Sequence, residues 1–274
     1  MATLKKNNYL TIGIPVYNGE RFLAQRIKNI KDVTKVKYKI IISDNCSNDK
    51  TELVCRKLEK KFNNITYIRQ KQNIGPVENF RFLINLSKSK YFVFAGVDDV
   101  WNKNFIDDCY KLITNDDVAI AFSNILIADT KSINYIPMRI TPSVSNSPYF
   151  RLLNRFMDPV PHLIYGLINK ELYNTTFIKN MDFFDIYFTF CMSLKGKILI
   201  SNNFNFKWQI DGHRKSYSIS KKRMQYFPFF LSTLKILRGF GFTKQLFIFS
   251  IFLRWVINNI YNRIFNPKIF DVEF

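Results

Sequence analysis

Carboxylates follow two apolar runs of the sequence, in positions where they could bind a nucleotide or a cation. Asp44 follows the run at 39–43, and the pair Asp98 and Asp99 follows the run at 91–95. Two adjacent carboxylates repel each other unless a cation or hydrogen-bond donors compensate, and hard oxygen ligands suit Mg²⁺ or Mn²⁺ bound through a diphosphate. A carboxylate at Asp44 could accept the imide N–H of a uracil ring. For the pair, an Asp-rich helix cap is the alternative explanation.

The spacing of apolar residues predicts the elements that must position these carboxylates. Short apolar, β-branched or aromatic runs are typical of strands buried on both faces, and they lie at 9–14, 39–43, 65–69, 91–95 and 118–123. Helical patterns lie between them at 19–31, 50–62 and 77–87. This alternation predicts an α/β fold with a mostly parallel sheet flanked by helices, in which ligands bind beyond the carboxyl ends of the strands.

The helix boundaries and the second half of the chain are less regular. Asn18 is a candidate N-cap for the first helix, Asp49 with Glu52 predicts a capping box for the second, and Pro76 is well placed to begin the third. Residues 130–150 are rich in Ser, Pro and Asn, which predicts a loop across the substrate side. A helix is then predicted near 170–195 and a strand at 197–201.

Four motifs in order make a more specific signal than any one of them. The order of IPVYNGE, SDNCSND, NIGP leading into Glu78-Asn79-Phe80, and GVDDVW resembles glycosyltransferase family 2, over about residues 8–125. Members of this family have the GT-A fold. The resemblance implies that Asp99 ligates a divalent metal, although Val97 stands where many members have an acidic residue. It also implies a set of residues that bind the nucleotide sugar: Pro15, Tyr17, Glu20, Asp44 facing the base, Asn73, Gly75, Asn79 and Asp98.

The resemblance also implies a catalytic base in the second half of the chain. Family members place an acidic residue about three helical turns before a Gly-Lys strand start, and here Asp182 and Asp185 precede Gly196. Asp185 has the better spacing and is the candidate base, with Asp182 as its rival and a solvated helix face as the alternative. The later loop containing His213 and Arg214 resembles the family's basic loop, which implies contacts to the diphosphate or metal.

Composition adds an expectation about location and partners. The chain has 274 residues, 47% of them hydrophobic, and a formal net charge of +20, which calls for an anionic partner. Four scattered cysteines and an N-terminus without an apolar core predict a reducing, cytoplasmic location. Residues 214–270 contain 11 Lys or Arg and no Asp or Glu. We therefore predict a catalytic domain at 1–212 and a basic, aromatic helical tail at 213–274.

The tail alternates apolar and cationic residues at helical spacing. Lys235, Arg238, Lys244 and Arg254 interrupt its apolar stretches, so a spanning helix is not predicted. The pattern predicts amphipathic helices that lie in an anionic bilayer interface, on the inner face of a bacterial cytoplasmic membrane. The alternative is that these helices cover the core or form a homo-oligomer contact.

Together with the resemblance, these features predict a metal-dependent glycosyltransferase of the hexosyltransferase type, and the resemblance implies that the transfer inverts the anomeric configuration. The donor is expected to be UDP-linked, and the acceptor to be lipid-linked or a surface glycan, as in lipopolysaccharide or capsule synthesis. A catalytically inactive scaffold that binds membrane or nucleic acid is the alternative, but nucleic acid is not expected because the aromatics cluster with aliphatic residues in helical patterns. The sequence lacks the GxGxxG and P-loop signatures, and no familiar Ser/His/Asp order accompanies its two histidines.

Overall fold

A computed structural model describes residues 10–129, 135–210 and 226–265. These residues form a nine-stranded sheet with the order β3-β2-β1-β4-β8-β6-β9-β5, in which β7 pairs with β6. The strands are β1 (Leu10–Val16), β2 (Tyr38–Asp44), β3 (Ile65–Arg69), β4 (Tyr91–Phe94), β5 (Val100–Trp101), β6 (Val118–Asp129), β7 (Tyr135–Met138), β8 (Leu167–Asn169) and β9 (Lys197–Ile210). The α-helices are α1 (Leu23–Asp32), α2 (Thr51–Lys61), α3 (Pro76–Leu86), α4 (Phe105–Leu112), α5 (Pro148–Met157), α6 (Phe184–Lys195), α7 (Tyr226–Leu237) and α8 (Phe242–Phe265).

The first half of the chain is the predicted parallel part of the sheet. Strands β3, β2, β1 and β4 are parallel neighbours, joined by α1, α2 and α3. Strands β1 and β4 are buried on both faces, as the continuous apolar runs predicted. Strand β3 is not, because it lies at the edge of the sheet and exposes Thr66 between buried Ile65 and Tyr67. The α/β fold with a central sheet flanked by helices is confirmed.

The second half of the sheet mixes directions. Strand β8 is antiparallel to both β4 and β6, while β6 and β9 are long and parallel to each other. Strand β8 has only three residues and lies between 3₁₀ turns at 161–165 and 170–172. A strand this short has no readable alternation, which is why the sequence did not predict it.

The predicted loop at 130–150 was wrong in its second part. Strand β7 pairs with β6, and α5 begins at Pro148. The sequence missed β7 because it is an exposed edge strand, with Ile136 63% exposed. The helix predicted near 170–195 is also shorter than expected, since α6 spans only Phe184–Lys195 and short 3₁₀ turns precede it.

The C-terminal helices α7 and α8 cover part of the core. Phe229 of α7 is 1% exposed and its ring contacts Phe183 and Phe190 at 5.5 and 6.4 Å. Ile248 of α8 is fully buried. Within the described ranges, no helix is both long and apolar enough to cross a membrane.

Candidate active site

The candidate site lies at the edge of the sheet where β1, β2 and β4 end. Asp44 is the last residue of β2 and is in register with Val16 of β1. On the other side of β1, the amide of Ala95 donates to the carbonyl of Gly13 at 2.9 Å, just before the acidic pair. The structure therefore brings the ends of β2 and β4 to one edge of the sheet, on either side of β1.

The acidic pair sits in a tight turn that follows β4. Asp98 is partly exposed and Asp99 is buried, with 6% exposure. A Cβ atom placed on Gly96 would lie 2.5 Å from Oδ2 of Asp99 and 3.3 Å from Oδ1 of Asp98. Both carboxylates therefore direct an oxygen toward the same backbone point, and only glycine leaves room for them.

Asp44 has a different environment from the free acceptor that we predicted. Its Oδ1 accepts hydrogen bonds from the amide and hydroxyl of Ser47, at 2.8 and 2.5 Å. Its Oδ2 accepts from the hydroxyl of Tyr67 and the guanidinium of Arg69, at 2.8 and 2.9 Å. Four donors use the full acceptor capacity of a carboxylate, so a bond from Asp44 to a uracil imide would require one of them to move.

The loops after β1 and β2 bind each other through side chains. Glu20 accepts a hydrogen bond from the amide of Lys50 at 2.8 Å, and its own amide donates to Asp49. Asn18 does not cap α1, because it adopts a left-handed φ of 54° and accepts from the amide of Asn48. Glu20 thus holds this junction together.

Two other predicted nucleotide residues, Pro15 and Tyr17, lie beside that junction. Pro15 is within β1, and Tyr17 follows the strand with 38% of its surface exposed. Tyr17 therefore has an accessible side chain at the sheet edge.

The motif between β3 and α3 is bonded to the loop that follows β2. Asn73 is exposed and accepts from the side-chain amide of Asn45 at 2.9 Å. Gly75 has a φ of 83°, which favours glycine, and open space surrounds the position of its missing Cβ. Asn79 is buried and bonds both the hydroxyl and the carbonyl of Ser43, so it ties α3 to β2 rather than facing solvent.

Asp185, the candidate base, lies in the first turn of α6. Its Oδ1 accepts from the amide of Ile186 at 2.8 Å. Although part of the residue reaches solvent, the surrounding protein desolvates the carboxyl group and raises its pKa to about 6. Its rival Asp182 is also partly exposed, before α6 begins. A carboxyl group with this pKa is suited to accept a proton near neutral pH.

Aromatic rings link the start of α6 with the end of β4. Phe80 of α3 packs against Phe94 at the end of β4, with ring centroids 4.6 Å apart, and against Phe184 at the start of α6, at 5.6 Å. Phe184 directly precedes Asp185, and Phe94 lies two residues before Gly96. Phe184, the neighbour of the base candidate, is therefore linked through Phe80 to the strand end that precedes the acidic pair. His213 and Arg214 lie outside the described residues.

Sequence reasoning gave no role to three residues of the candidate site: Arg26, Arg69, and Phe80, which was named only as part of a motif. Arg26 occupies the apolar stripe of α1 between Leu23 and Ile27. A cation in that stripe is itself a signal, because an unneeded charge there would be costly. Arg69 is the last residue of β3, just as Asp44 is the last residue of β2. The prediction that functional residues follow the strands could therefore have included Arg69.

Comparisons with known proteins agree with this geometry. The family model described as Glycosyl transferase family 2 matches residues 11–175. The poly(ribitol-phosphate) beta-N-acetylglucosaminyltransferase TarS of Staphylococcus aureus is 24% identical over 177 residues, which are 64% of this chain and 28% of TarS. The glycosyltransferase GlyG of Streptococcus pneumoniae is 22% identical over 190 residues, covering 64% of this chain and 62% of GlyG. The chain thus spans less than two thirds of either relative.

Solved structures show the same fold. The crystal structure of S. aureus TarS 1–349 has a TM-score of 0.66 and 15% identity, covering 95% of this chain and 73% of that one. The same TarS segment in complex with UDP-GlcNAc also has a TM-score of 0.66, at 14% identity, covering 89% and 71% of the two chains. A mannosyltransferase from Pyrobaculum calidifontis, in complex with GDP-Man and Mn²⁺, has a TM-score of 0.55 at 12% identity and covers 76% and 59%.

Proposed function

The chain belongs to glycosyl transferase family 2, and from this premise we propose that it transfers a sugar from a nucleotide sugar, of the UDP type, to a glycan or lipid-linked acceptor. The observation that supports this most directly is the shared sheet edge, where Asp44 and the Asp98–Asp99 turn follow strands on either side of β1. UDP is favoured because TarS, whose fold this chain shares, was solved with UDP-GlcNAc.

The turn at Gly96–Asp99 fits a divalent cation such as Mn²⁺ or Mg²⁺. Carboxylate oxygens are the ligands that these ions prefer, and the glycine lets two of them approach one point. Among the residues described, no three His, Cys, Asp or Glu side chains cluster. Asp99, with Asp98 beside it, would therefore hold the ion together with phosphate oxygens and water. Such an ion neutralises charge on a departing nucleoside diphosphate.

The chain's own residues then bind the donor and move one proton. Tyr17 and Pro15 line the nucleotide side, and Asp44 shapes that pocket by holding Ser47 and Arg69 in place. Asp185 takes the proton of the acceptor hydroxyl while that oxygen bonds to the anomeric carbon and the bond from this carbon to the diphosphate breaks. Attack on the face opposite the leaving group inverts the anomeric configuration.

A panel of nucleotide sugars tests this function. The protein is incubated with UDP-, GDP- and dTDP-linked sugars and Mn²⁺, and released nucleoside diphosphate is measured. We expect release from a UDP-sugar, through slow transfer to water when no acceptor is present, and loss of release in EDTA. If the protein neither turns over nor binds any of these donors, it is an inactive family member serving as a scaffold.

We also propose that the outer faces of α7 and α8 contact an anionic membrane on the cytoplasmic side. Phe242, Leu246 and Leu253 form an exposed apolar stripe on α8, and Phe247 beside them is 53% exposed. Exposed cations flank them, and residues 226–265 contain no Asp or Glu. Such a face fits a bilayer interface with acidic headgroups. The residues from 213 onward would thus be the membrane-binding segment and residues 1–212 the catalytic domain.

The proposed membrane contact can be tested by comparing a variant of α8 with a control variant on α2. Replacing Phe242, Leu246 and Phe247 together with serine should lower the affinity for phosphatidylglycerol vesicles, measured by co-sedimentation, about a hundredfold. The reason is that burying each exposed apolar side chain in the bilayer contributes on the order of 1 kcal/mol to binding. The control is Leu53→Ser on α2, where a leucine of equal exposure lies far from the basic helices in sequence. Equal vesicle binding by the triple variant would remove the membrane role, and a change in oligomeric state instead would identify this face as a contact between copies.

A further inference from the structure

Arg26 of α1 reaches the acidic turn from inside the protein. Only 2% of its surface is exposed, and its guanidinium lies 4.1 Å from the ring centroid of Trp101. Nη1 donates to the side-chain oxygen of Asn29 at 2.8 Å and to the main-chain oxygen of Asp99 at 3.1 Å. The guanidinium therefore holds the backbone at the second carboxylate of the pair.

Asn29, one helical turn after Arg26, also binds the main chain of the segment that follows the acidic pair. Its side-chain oxygen accepts from the amide of Trp101 at 3.0 Å, and its side-chain nitrogen donates to the carbonyl of Trp101 at 2.8 Å. Strand β5, which contains Trp101, also pairs with β9. Helix α1 thus fixes the segment that follows the acidic pair through two side chains on one face.

The charge of Arg26 is costly for a purely structural contact. A guanidinium group stays protonated in proteins, and this one is almost fully buried beside Asp99. Its Nε and Nη2 atoms have no hydrogen-bond partner among the described residues. A nonpolar side chain of similar size would avoid this desolvation cost. What the charge adds is a fixed positive potential beneath two carboxylates.

We propose that Arg26 is a positioning residue for the diphosphate site: it fixes the backbone of the acidic turn and adds a buried positive charge that favours the anionic diphosphate over the bare metal ion. This inference rests on the proposed role of Asp98 and Asp99 in holding a cation. A positive charge at this place repels a divalent cation and attracts a diphosphate, so its removal should change the two affinities in opposite directions. Loss of structure alone would weaken both.

The test compares Arg26→Met, which keeps volume but removes the charge, with Arg26→Lys, which keeps the charge. Binding of Mn²⁺ to the full chain is measured by electron paramagnetic resonance of the free ion, and binding of UDP without metal by calorimetry. In Arg26→Met the two bonds from Asn29 to Trp101 still hold the segment after the acidic pair. We therefore expect Mn²⁺ to bind about fivefold tighter and UDP about fivefold weaker, the effect of roughly one screened charge. Arg26→Lys should keep both affinities within about twofold of the unchanged protein.

Lys28→Met is the matched control, because Lys28 is an exposed cation on the same helix. It should leave both affinities unchanged. If Arg26→Met weakens both ligands or changes neither, while its thermal unfolding remains cooperative, the electrostatic role is wrong. If it unfolds, the comparison of Arg26→Lys with the unchanged protein decides, and a loss of UDP binding in that variant would overturn the proposal. Failure of the unchanged protein to bind Mn²⁺ at all would instead contradict the metal site of the proposed function.

Discussion

Replacing Asp185 with asparagine is expected to lower kcat about 10²- to 10⁴-fold while leaving KM for the nucleotide sugar nearly unchanged. Asparagine has the size of aspartate but does not accept a proton, and removal of a general base has this order of effect. The donor affinity should persist, because the proposed donor contacts lie on other elements, after β1, β2 and β4. Initial rates with donor and acceptor varied separately give the two constants.

The raised pKa of Asp185 adds a pH dependence to this prediction. Its ordinary value is 3.8 and burial raises it to about 6, so kcat of the unchanged protein should rise with pH through about 6 and then level off. Because the folded carboxyl group has the higher pKa, ionisation weakens folding: the penalty is absent below about pH 4, grows between pH 4 and 6, and is complete above.

The Asp185→Asn variant cannot ionise at this position, so it should escape the folding penalty that the wild-type carboxylate has above about pH 4. At pH 7.5 Asp185→Asn should be more stable than the unchanged protein, on the order of 1–3 kcal/mol, and the difference should disappear below about pH 4. Denaturant unfolding at the two pH values measures this. The matched variant Asp182→Asn removes the rival carboxylate, which lies three residues earlier and before α6 begins. If that variant loses kcat and Asp185→Asn does not, the base is Asp182.

The strand ends of the first half were predictable because strands buried on both faces leave long apolar runs. The runs leading to Asp44 and to Asp98 correspond to β2 and β4, and parallel pairing with β1 then brings their ends to one edge. The pattern of apolar residues alone predicted these strand ends, since each strand is joined to the next by a helix whose apolar face is recognisable in the sequence. What the sequence did not reveal was the direction of each side chain at that edge.

Asp44 and Asn79 show why the directions of these side chains could not be predicted from the sequence. A polar residue at the end of a strand can either contact a ligand or form hydrogen bonds within the protein. The positions of Tyr67, Arg69 and Ser43 show that Asp44 and Asn79 form hydrogen bonds within the protein. Those partners come from other elements. Strand β8 was hidden for a related reason, because its three residues form a strand only between β4 and β6.

Replacing Asp99 with asparagine should lower kcat/KM for the nucleotide sugar by about three orders of magnitude, since a metal ion contributes several kcal/mol to stabilising charge in the transition state. Asparagine keeps an oxygen ligand but loses the charge. The fold should persist, because Arg26 holds the main-chain oxygen of Asp99, which the substitution leaves in place. The loss should be accompanied by weaker Mn²⁺ binding in electron paramagnetic resonance.

Two further variants separate the charge of Asp99 from its position. Gly96→Ala keeps both carboxylates but places a methyl carbon only 2.5 Å from Oδ2 of Asp99, so the carboxylate must turn away. We expect it to lose activity and Mn²⁺ affinity in the same direction as Asp99→Asn, while Asp32→Asn, at an exposed aspartate of α1, changes neither. Full Mn²⁺-dependent turnover in Asp99→Asn would assign the metal to other ligands and leave the acidic turn a structural cap.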